Sequence, residues 1–459
     1  MAQSSNLNLN SDTIAAISTS YGASGIAIIR MSGSQSLNIA QKILNRIDHE
    51  NPGKLILTSL HDENKNILDK VLTVYFASPK SYTGEDMIEI HTHGGILIAR
   101  ICLELLIKFG ARIAEPGEFT KRAFLNGHID LSQAEGVLGI IQSKSIEAVK
   151  ASARNLTGEL TREINNIHEE ILNLQGNIEL ELDFPEGEKL NFNLGAGLEN
   201  IKSKLQNIYN RCSAGNLLNS GVKIVIAGKP NAGKSSLMNA LLNKKRAIVT
   251  DIPGTTRDLI EENFNLNGIP VNLIDTAGIR ESNNIIENAG IELAHEALRN
   301  CDLCLWVIDS TQDFKQDEIN LIENISSDLK IIFVLNKSDL KRDANININI
   351  NINLNMHKKI SVSAMTGDGI NDLKNLMSEI ITGSAVLNSG LNASELQILK
   401  IKSCLNLILQ AEDAFKSEIG FDVIAGLLNS VRNNLLEILG IERDDELLNS
   451  IFSRFCVGK

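Results

Sequence analysis

The sequence predicts a multidomain protein of α/β and α class, with an α/β domain inserted into a helical domain. Three observations support this prediction. A Gly-rich loop at residues 228–235 lies between a predicted strand and a predicted helix. Helical patterns occur on both sides of that region, and short strands mixed with helices come before about residue 125. At 459 residues the chain is too long for a single core, which agrees with about three domains.

Composition and charge narrow the functional classes. The net charge of −12 argues against non-specific nucleic-acid binding over the whole surface, so an RNA partner would need a local basic patch or a partner subunit. No apolar run is long enough to predict a membrane span, and residues 1–10 lack a signal-peptide pattern. The six cysteines are scattered, which predicts reduced thiols and a cytoplasmic location. Cys301 and Cys304 form a lone C-x-x-C in an apolar run, where core packing is favoured over zinc.

The N-terminal region is predicted to be an α+β domain. Its predicted strands are residues 26–30, 71–76 and 87–93. Alternation along the third strand places on one face the side chains of Met87, Glu89, His91 and His93. A carboxylate with two imidazoles could bind a metal, and a pocket that hydrogen-bonds an organic ligand is at least as well supported. A helix is predicted after Gly95, to about residue 109.

The helical domain is predicted to be divided in sequence. Helical patterns cover residues 124–182, a segment ending near 212, and residues 395–416, 421–439 and 444–455. The economical interpretation is one helical domain interrupted by the α/β domain. The predicted bounds are 1–125 for the N-terminal domain, 126–220 and 384–459 for the helical parts, and 221–383 for the inserted domain.

The loop at residues 228–235 has the context of a phosphate-binding loop. It follows the apolar run 223–227 and precedes a segment with helical spacing. Backbone N–H groups, freed by the glycines and by the start of the helix, point at anionic oxygens. Lys234 adds a positive charge, and the hydroxyl of Ser235 can bind Mg²⁺.

Two further regions are predicted to lie near a γ-phosphate. Asp275 ends a predicted strand; it can hold Mg²⁺ through water, and Gly278 can offer its N–H to the phosphate. We interpret residues 250–258 as the switch loop, in which Thr256 completes the Mg²⁺ shell. Ile279 stands where a glutamine could orient the attacking water. Either hydrolysis is negligible or a polar group comes from elsewhere.

The base-binding motifs predict guanine specificity. In the sequence Asn336-Lys337-Ser338-Asp339, the carboxylate of Asp339 can accept hydrogen bonds from the ring N–H and the exocyclic amine of guanine. Adenine would leave this carboxylate unpaired. Ser363-Ala364 can donate a backbone N–H to the guanine oxygen. Four motifs in this order predict a GTP-binding domain, and Asn231 with the carbonyl-rich switch loop indicates that a monovalent cation assists.

At these residues the chain resembles the MnmE (TrmE) family of tRNA modification GTPases, from about residue 13 to its end. The most specific matches are Gly228-Lys229-Pro230-Asn231-Ala232-Gly233-Lys234-Ser235-Ser236, residues 250–258, Asp275-Thr276-Ala277-Gly278-Ile279-Arg280, Ser81-Tyr82-Thr83-Gly84-Glu85-Asp86, Pro116-Gly117-Glu118-Phe119 and Phe455-Cys456-Val457-Gly458-Lys459. The resemblance implies an N-terminal domain that binds folate and dimerises. It also implies a divided helical domain and K⁺-stimulated GTP hydrolysis when two GTPase domains meet.

The resemblance further implies a reaction, partners and site residues. With an FAD-binding partner of the MnmG type, in a heterotetramer, the family adds an aminomethyl-type (carboxymethylaminomethyl) group to carbon 5 of the wobble uridine of certain tRNAs. The implied donor is a 5,10-methylene- or 5-formyltetrahydrofolate. The folate contacts fall on Arg30, Glu89, His128 and Lys459, the K⁺ ligands on Asn231, Thr250, Ile252 and Thr255, and the Mg²⁺ ligands on Ser235 and Thr256. The GTP contacts fall on Asn231, Ala232, Gly233, Lys234, Ser235, Ser236, Thr250, Asp251, Ile252, Pro253, Gly254, Thr255, Thr256, Asp275, Thr276, Ala277, Gly278, Asn336, Lys337, Asp339, Ser363 and Ala364.

Simple chemistry supports the folate assignments and leaves alternatives open. A carboxylate such as Glu89 can accept from the amidine-like edge of a pterin, while Arg30 and Lys459 suit carbonyl or carboxylate oxygens. Alternatively, Glu89 pairs with a local base and Lys459 is a frayed terminus. The family usually has Lys at the position of His128, so this contact is expected to be weaker or pH-dependent.

Two residues are candidates for catalytic roles. Because Ile279 cannot polarise water, a carboxylate beyond Gly278 is needed, and the candidates are Glu281, Glu287 and Glu292. Glu281 is very close to Gly278 and Glu292 lies in a predicted helix, so Glu287 between them is favoured, and the resemblance points to the same position. Otherwise Glu287 is a surface charge. The thiol of Cys456 is predicted to lie near the one-carbon site, although packing in the core is nearly as well supported. The rival function is a ribosome-assembly or signalling GTPase that only binds RNA. Such a protein should carry a basic RNA-binding domain after its GTPase domain, where this chain has helices and the short tail.

Overall fold

The chain forms two compact units in a computed structural model. The structure describes residues 12–183, 193–242, 260–275, 297–299, 301–312, 329–340, 357–382, 389–441, 448 and 451–459. The first unit comprises Met1–Leu138, Leu156–Leu190 and Ala414–Lys459, and the second comprises Gly139–Asn155 and Asn191–Asp413. Helices of the predicted helical domain occur in both units, and the predicted domain bounds stay predictions.

A six-stranded sheet organises the first unit. Its strands are β1 (Ile14–Ile17), β2 (Ile26–Ser32), β3 (Ile56–His61), β4 (Ile67–Phe76), β5 (Met87–His93) and β6 (Arg112–Ile113). The order is β3-β4-β5-β2-β1-β6, and all pairs are antiparallel except β1 with β6. Helices α1 (Ser36–Ile43) and α2 (Ile96–Lys108) contribute to the buried core of this sheet. The three predicted strands and the helix after Gly95 are confirmed, although β4 begins earlier than predicted.

The register between β2 and β5 brings distant residues together. Arg30 lies directly opposite Glu89 in this antiparallel pair. Along β5, Ile88 and Ile90 are buried, whereas Glu89 and His91 are only partly buried on the alternate face. The alternation predicted from the sequence is therefore confirmed for this strand.

Helices complete the first unit. They are α3 (Glu118–Leu125), α4 (Leu131–Gln142), which continues into the second unit, α6 (Glu159–Asp183) and α11 (Phe421–Ile438). The prediction of one helical run over residues 124–182 is wrong in detail, because the run is broken into separate helices. Gly127 and Gly158 adopt positive φ angles of 73° and 75°, the left-handed conformation that ends helices.

A second six-stranded sheet organises the other unit. Its strands are β7 (Val222–Gly228), β8 (Ile260–Leu266), β9 (Ile269–Asp275), β10 (Leu303–Asp309), β11 (Ile331–Asn336) and β12 (His357–Ser361). The order is β12-β11-β10-β7-β9-β8, parallel throughout except for β8. All of β10 is buried, as expected for an interior strand of a parallel sheet covered on both faces.

The helices of the second unit extend beyond the α/β domain. They are α5 (Ile146–Leu156), α7 (Leu194–Ser220), α8 (Lys234–Leu241), α9 (Ile370–Thr382) and α10 (Glu395–Lys416), whose residues from Ala414 onward belong to the first unit. The predicted end of α7 near residue 212 is wrong, because buried residues recur at helical spacing through Leu218. The predicted bounds of α10 are confirmed, and those of α11 differ by one residue. Ala148 and Ala151 of α5 share a buried core with the second sheet.

Some predictions concern residues that the structure does not describe. Part of the helix predicted at 444–455 is among them, as is the segment 250–258 that was interpreted as the switch loop. Among the described residues, no helix combines the length and the apolar character needed to cross a membrane.

Candidate functional site

The loop between β7 and α8 requires glycine at two positions. Gly228 and Gly233 have positive φ angles of 138° and 92°. A Cβ at Gly228 would lie 2.3 Å from the carbonyl oxygen of Val307, and one at Gly233 would lie 2.2 Å from Asn336 Nδ2. The glycines thus allow the loop to approach β10 and the base motif closely.

Two side chains of the phosphate loop make hydrogen bonds: Lys234 with the backbone of the loop, and Ser235 with Asp275, another residue predicted to hold Mg²⁺. Lys234 is only 7% exposed, and its Nζ donates to the carbonyl oxygens of Gly228 and Lys229 at 3.0 and 2.8 Å. The hydroxyl of Ser235 donates to Asp275 Oδ2 at 2.9 Å. A hydroxyl and a carboxylate are oxygen ligands of the kind that Mg²⁺ prefers, so these residues fit the predicted ion.

Asn336 connects three of the predicted motifs. Its Nδ2 donates to the carbonyl oxygen of Ala232 at 2.9 Å, and its Oδ1 accepts from the N–H of Ala364 at 3.0 Å. The N–H of Ser363 donates to the carbonyl oxygen of Asp368 at 2.9 Å. Both N–H groups that the sequence offered to guanine therefore donate within the protein here.

The side chains of the base motif differ in their surroundings. Asp339 is exposed, and its carboxylate has no hydrogen-bond partner within the part of the chain that the structure describes. Lys337 Nζ instead donates to Asp309 Oδ2 at 2.6 Å. Burial raises the pKa of the Asp309 carboxyl, but hydrogen bonds from Lys337 and Thr311 outweigh burial and hold it below the ordinary value. Asp309 was not predicted as a site residue, although its position at the end of an apolar run is a signal in the sequence.

Several predicted nucleotide and cation residues lie outside the described residues. They are Thr250, Asp251, Ile252, Pro253, Gly254, Thr255, Thr256, Thr276, Ala277, Gly278 and Glu287. The described part of the predicted site therefore consists of the phosphate loop, Asp275 and the base motifs.

Arg30 and Glu89 form an ion pair on the sheet of the first unit. Arg30 Nε and Nη2 donate to Glu89 Oε1 at 2.9 and 2.7 Å. His91 Nε2 lies 3.4 Å from the other carboxylate oxygen, Oε2. The alternative interpretation, that Glu89 pairs with a nearby basic side chain, is therefore correct, and that side chain is Arg30. Both residues of the pair are among the predicted folate contacts.

The end of α3 places His128 against a loop. The N–H of Gly127 donates to the Phe124 carbonyl oxygen and that of His128 to the Ala123 carbonyl oxygen, which is a Schellman arrangement. A Cβ at Gly84 would lie 2.6 Å from His128 Cδ2. The imidazole thus packs on a glycine of the segment 81–86, which sequence analysis used only as a family match.

The C-terminal tail is held on the first unit. Ser18 Oγ donates to the carbonyl oxygen of Gly458 at 3.0 Å, and the N–H of Gly117 donates to the carbonyl oxygen of Cys456 at 3.3 Å. Gly458 has a φ of 91°, and a Cβ there would lie 2.6 Å from the carbonyl oxygen of Ile17. The alternative that Lys459 is a frayed terminus is not supported, because its N–H donates to the Cys456 carbonyl oxygen. Cys456 is exposed, so packing in the core is not its role.

Two family models match the chain. One, described as GTP-binding protein TrmE N-terminus, matches residues 13–128, and one, described as MnmE helical domain, matches residues 131–456. The tRNA modification GTPase MnmE of Carboxydothermus hydrogenoformans is 41% identical over 98% of this chain and 99% of that protein. The chain belongs to the MnmE family. The MnmE of Acetivibrio thermocellus is 40% identical, over 98% of this chain and 99% of its own length.

Membership in the MnmE family makes this chain a tRNA modification GTPase. Among solved structures, a chain of Aquifex aeolicus Era bound to GDP and AlF4⁻ aligns with 41% of this chain and 67% of its own length. That alignment has a TM-score of 0.30 and 22% identity.

An ion network in the part matched by the TrmE N-terminus was not predicted. Arg122 is 6% exposed; its Nη2 donates to Asp12 Oδ1 at 2.8 Å and to Glu118 Oε1 at 3.0 Å, and its Nη1 donates to Glu85. Arg112 Nη2 donates to Glu118 Oε1 at 2.7 Å. Burial raises the pKa of Glu118, but hydrogen bonds from Arg112, a backbone N–H and Arg122 hold it below the ordinary value. The spacing of Glu118 and Arg122 on one helix was the available signal.

Neither candidate metal motif of the sequence is supported. In the described ranges, no group of three or more His, Cys, Asp and Glu side chains could hold a metal ion. His93 Nδ1 pairs instead with Asp69 Oδ1 at 2.6 Å. Cys304 is buried, and burial raises the pKa of the Cys301 thiol to about 11. Such thiols are mostly protonated at neutral pH, in agreement with core packing.

Proposed function

We propose that this GTPase uses GTP hydrolysis to support modification of the wobble uridine in certain tRNAs. It acts as a cytoplasmic homodimer with an FAD-binding partner of the MnmG type, in a heterotetramer that also binds the tRNA. The product carries an aminomethyl-type (carboxymethylaminomethyl) group on carbon 5. One observation carries the proposal. In a chain of the MnmE family, hydrogen bonds connect the phosphate loop to Asp275, through Ser235, and to the base motif, through Asn336.

The nucleotide contacts follow from the motifs. The phosphate loop binds the phosphates of GTP, Ser235 and Thr256 bind Mg²⁺, and the carboxylate of Asp339 selects guanine. Asn231, Thr250, Ile252 and Thr255 bind K⁺ through oxygen atoms. The left-handed conformation of Asn231, with φ of 64°, supports its special position in the loop.

Glu287 supplies the group that Ile279 lacks. A carboxylate can accept a hydrogen bond from the attacking water and so orient it toward the γ-phosphate. K⁺ held by Asn231, Thr250, Ile252 and Thr255 would supply positive charge close to the phosphates, where negative charge develops when two GTPase domains meet.

The first unit binds a tetrahydrofolate derivative as one-carbon donor. Arg30, Glu89, His128 and Lys459 contact this carrier, which is of the 5,10-methylene or 5-formyl type. The Arg30–Glu89 pair and the docked tail support the proposal. The thiol of Cys456 acts in modification but not in GTP hydrolysis.

Mass spectrometry of wobble nucleosides tests this function. A deletion strain should lose the carbon-5 modification, and the wild-type gene should restore it. Cys456→Ser should restore GTP hydrolysis but not modification. Intact modification in the deletion strain would favour the alternative function, a ribosome-assembly or signalling GTPase that only binds RNA. Full modification with Cys456→Ser would show only that the thiol has no part in the reaction.

A further inference from the structure

The guanidinium of Arg30 is enclosed on three sides. Glu89 accepts two of its N–H groups, and its Cζ lies 5.5 Å from the ring centroid of Tyr82 and 5.7 Å from that of Phe119. Both distances are within the range of about 6 Å over which an aromatic face attracts a cation. The side chain of Arg30 is only 17% exposed, so solvent screens this attraction weakly.

The ring of Tyr82 is itself held in place. Its hydroxyl shares a hydrogen bond of 2.9 Å with Thr120 Oγ1. The next residue, Thr83, is held from two directions, because its hydroxyl lies 2.6 Å from Ser32 Oγ and its carbonyl oxygen accepts from Asn126 Nδ2 at 2.7 Å. Burial raises the pKa of Tyr82, so the phenol is neutral at physiological pH. The ring is therefore a fixed surface rather than a mobile one.

Arg30 and Glu89 each keep hydrogen-bonding capacity. Within the described residues, Arg30 Nη1 has no hydrogen-bond partner, and Glu89 Oε2 has only His91 at 3.4 Å. A donor edge next to an acceptor oxygen suits a planar heterocycle that carries both an acceptor and a donor, which is the chemistry of a pterin.

We propose that Tyr82 is a positioning residue for Arg30. Its ring holds the guanidinium plane against Glu89, so that the free donor edge and the free carboxylate oxygen are presented together to the one-carbon carrier. This inference rests on the proposed carrier site. Phe119 lies in the buried core with Ile14 and Ala16, so its replacement would disturb packing, and Tyr82 is the better residue to test.

Calorimetric titration of the full-length protein with 5-formyltetrahydrofolate tests the role of the ring. Tyr82→Leu should weaken binding about tenfold, or about 1.4 kcal/mol. Tyr82→Phe keeps the ring and should bind within about threefold of wild type. Melting temperatures of both variants establish that they fold. Binding by Tyr82→Leu within about twofold of wild type overturns the proposal, as does an equal loss in Tyr82→Phe, which would mean that the hydroxyl matters and not the ring.

A double-mutant cycle separates positioning from direct contact. If Tyr82 acts through Arg30, adding Tyr82→Leu to Arg30→Lys should cause little further loss of affinity. Additive losses would mean that Tyr82 contacts the carrier itself, and they would overturn the positioning role.

NMR of the protein labelled with ¹⁵N-arginine distinguishes this inference from the proposed carrier site. The Nε–H signal of Arg30, assigned by its absence in Arg30→Lys, should exchange slowly with solvent in wild type and faster in Tyr82→Leu. An unchanged Arg30 signal in Tyr82→Leu overturns the inference even if the carrier binds. A wild-type protein that fails to bind 5-formyltetrahydrofolate, with Arg30 still restrained by Tyr82, removes the carrier site but leaves the positioning of Arg30 standing.

Discussion

The nucleotide site and the Arg30–Glu89 site are built by different means. In the nucleotide site, the phosphate loop is held by short-range contacts with its own backbone, as when Lys234 donates to the carbonyl oxygens of Gly228 and Lys229. Its links to Asp275 and Asn336 span 40 and 104 positions, but the loop itself is a local structure. In the other site, the ion pair joins residues 59 positions apart. A site made from local backbone geometry leaves a motif in the sequence, whereas a site made from paired strands depends on register.

The largest expected effect comes from Glu287, the residue proposed to orient the attacking water. Glu287→Ala should slow K⁺-stimulated GTP hydrolysis by about 100- to 10,000-fold, because loss of one water-orienting group has effects of that order. The affinity for GTP should change only a few-fold. Steady-state hydrolysis in KCl measures this, with Glu292→Ala as a matched control on the same segment. If Glu287→Ala hydrolyses GTP at nearly the wild-type rate, another group orients the attacking water.

Asp339 should have the next largest effect. Asp339→Asn should weaken GTP binding about 100-fold, because the amide presents a donor to the guanine donors. ATP affinity should stay low in both proteins. Calorimetry with both nucleotides measures the difference, and Glu379→Gln, an exposed carboxylate paired with Lys358, is the control. Equal binding of ATP and GTP by the wild-type protein would refute guanine selection.

The two sites also differ in how far the sequence predicts them. The strand and the helix around residues 228–235 were predicted closely, because a Gly-rich turn and an apolar run are local signals. The sequence did not predict that Asn336 binds both Ala232 and Ala364, since that bridge depends on how β11 pairs within the sheet. The break of the helical run near Gly158 was also missed, because a single glycine is tolerated inside many helices.

For the first unit, the sequence indicated the residues but not their partners. Glu89 and His91 were placed on one face by alternation alone, and this is confirmed. The relation of Glu89 to Arg30 came only from family resemblance, because strand register is not a local property. In the network around Arg122, the pair with Glu118 had a local signal, but the pair with Asp12 could not be predicted because the two residues are 110 positions apart.

That network gives a stability test in the first unit. Glu118→Gln should lower the free energy of unfolding by about 1–2 kcal/mol at pH 7, because Arg112 and Arg122 lose a charged acceptor. Glu104→Gln is the matched control, since Glu104 forms an exposed pair of the same spacing with Arg100. Urea unfolding measures both variants, and equal effects would mean that burial adds nothing.

The same variant should change the pH dependence of stability. The pKa of Glu118 lies below its ordinary value of 4.5 in the folded protein, so its contribution is complete above that value. It is lost as pH falls through the lower pKa of the folded state, because the unfolded chain then binds the proton more tightly. Glu118→Gln should therefore show a smaller loss of stability on acidification than the wild type. An identical slope below pH 4.5 in both proteins would contradict this account.

The smallest expected effect compares two residues with positive φ, one in each unit. Lys337 has a φ of 65° in the base motif, and Glu418 has a φ of 53° at the end of α10. The N–H of Glu418 donates to the carbonyl oxygen of Phe415, and the N–H of Ile419 donates to that of Ala414. This is the Schellman arrangement, in which glycine is favoured at the position of Glu418. Glu418→Gly should therefore stabilise the protein by about 0.5 kcal/mol, since relief of the left-handed strain exceeds the added entropy of the unfolded chain.

Lys337→Gly removes the same strain but should not stabilise. Its ammonium is the hydrogen-bond donor to Asp309 at 2.6 Å, and glycine would leave that carboxylate without this donor. Denaturant midpoints of the two variants, measured with and without GTP, provide the comparison. Stabilisation by both would mean that Lys337 has no structural role in the nucleotide site. Stabilisation by Glu418→Gly alone would mean that strain is retained where a side chain serves the site and is dispensable where it does not.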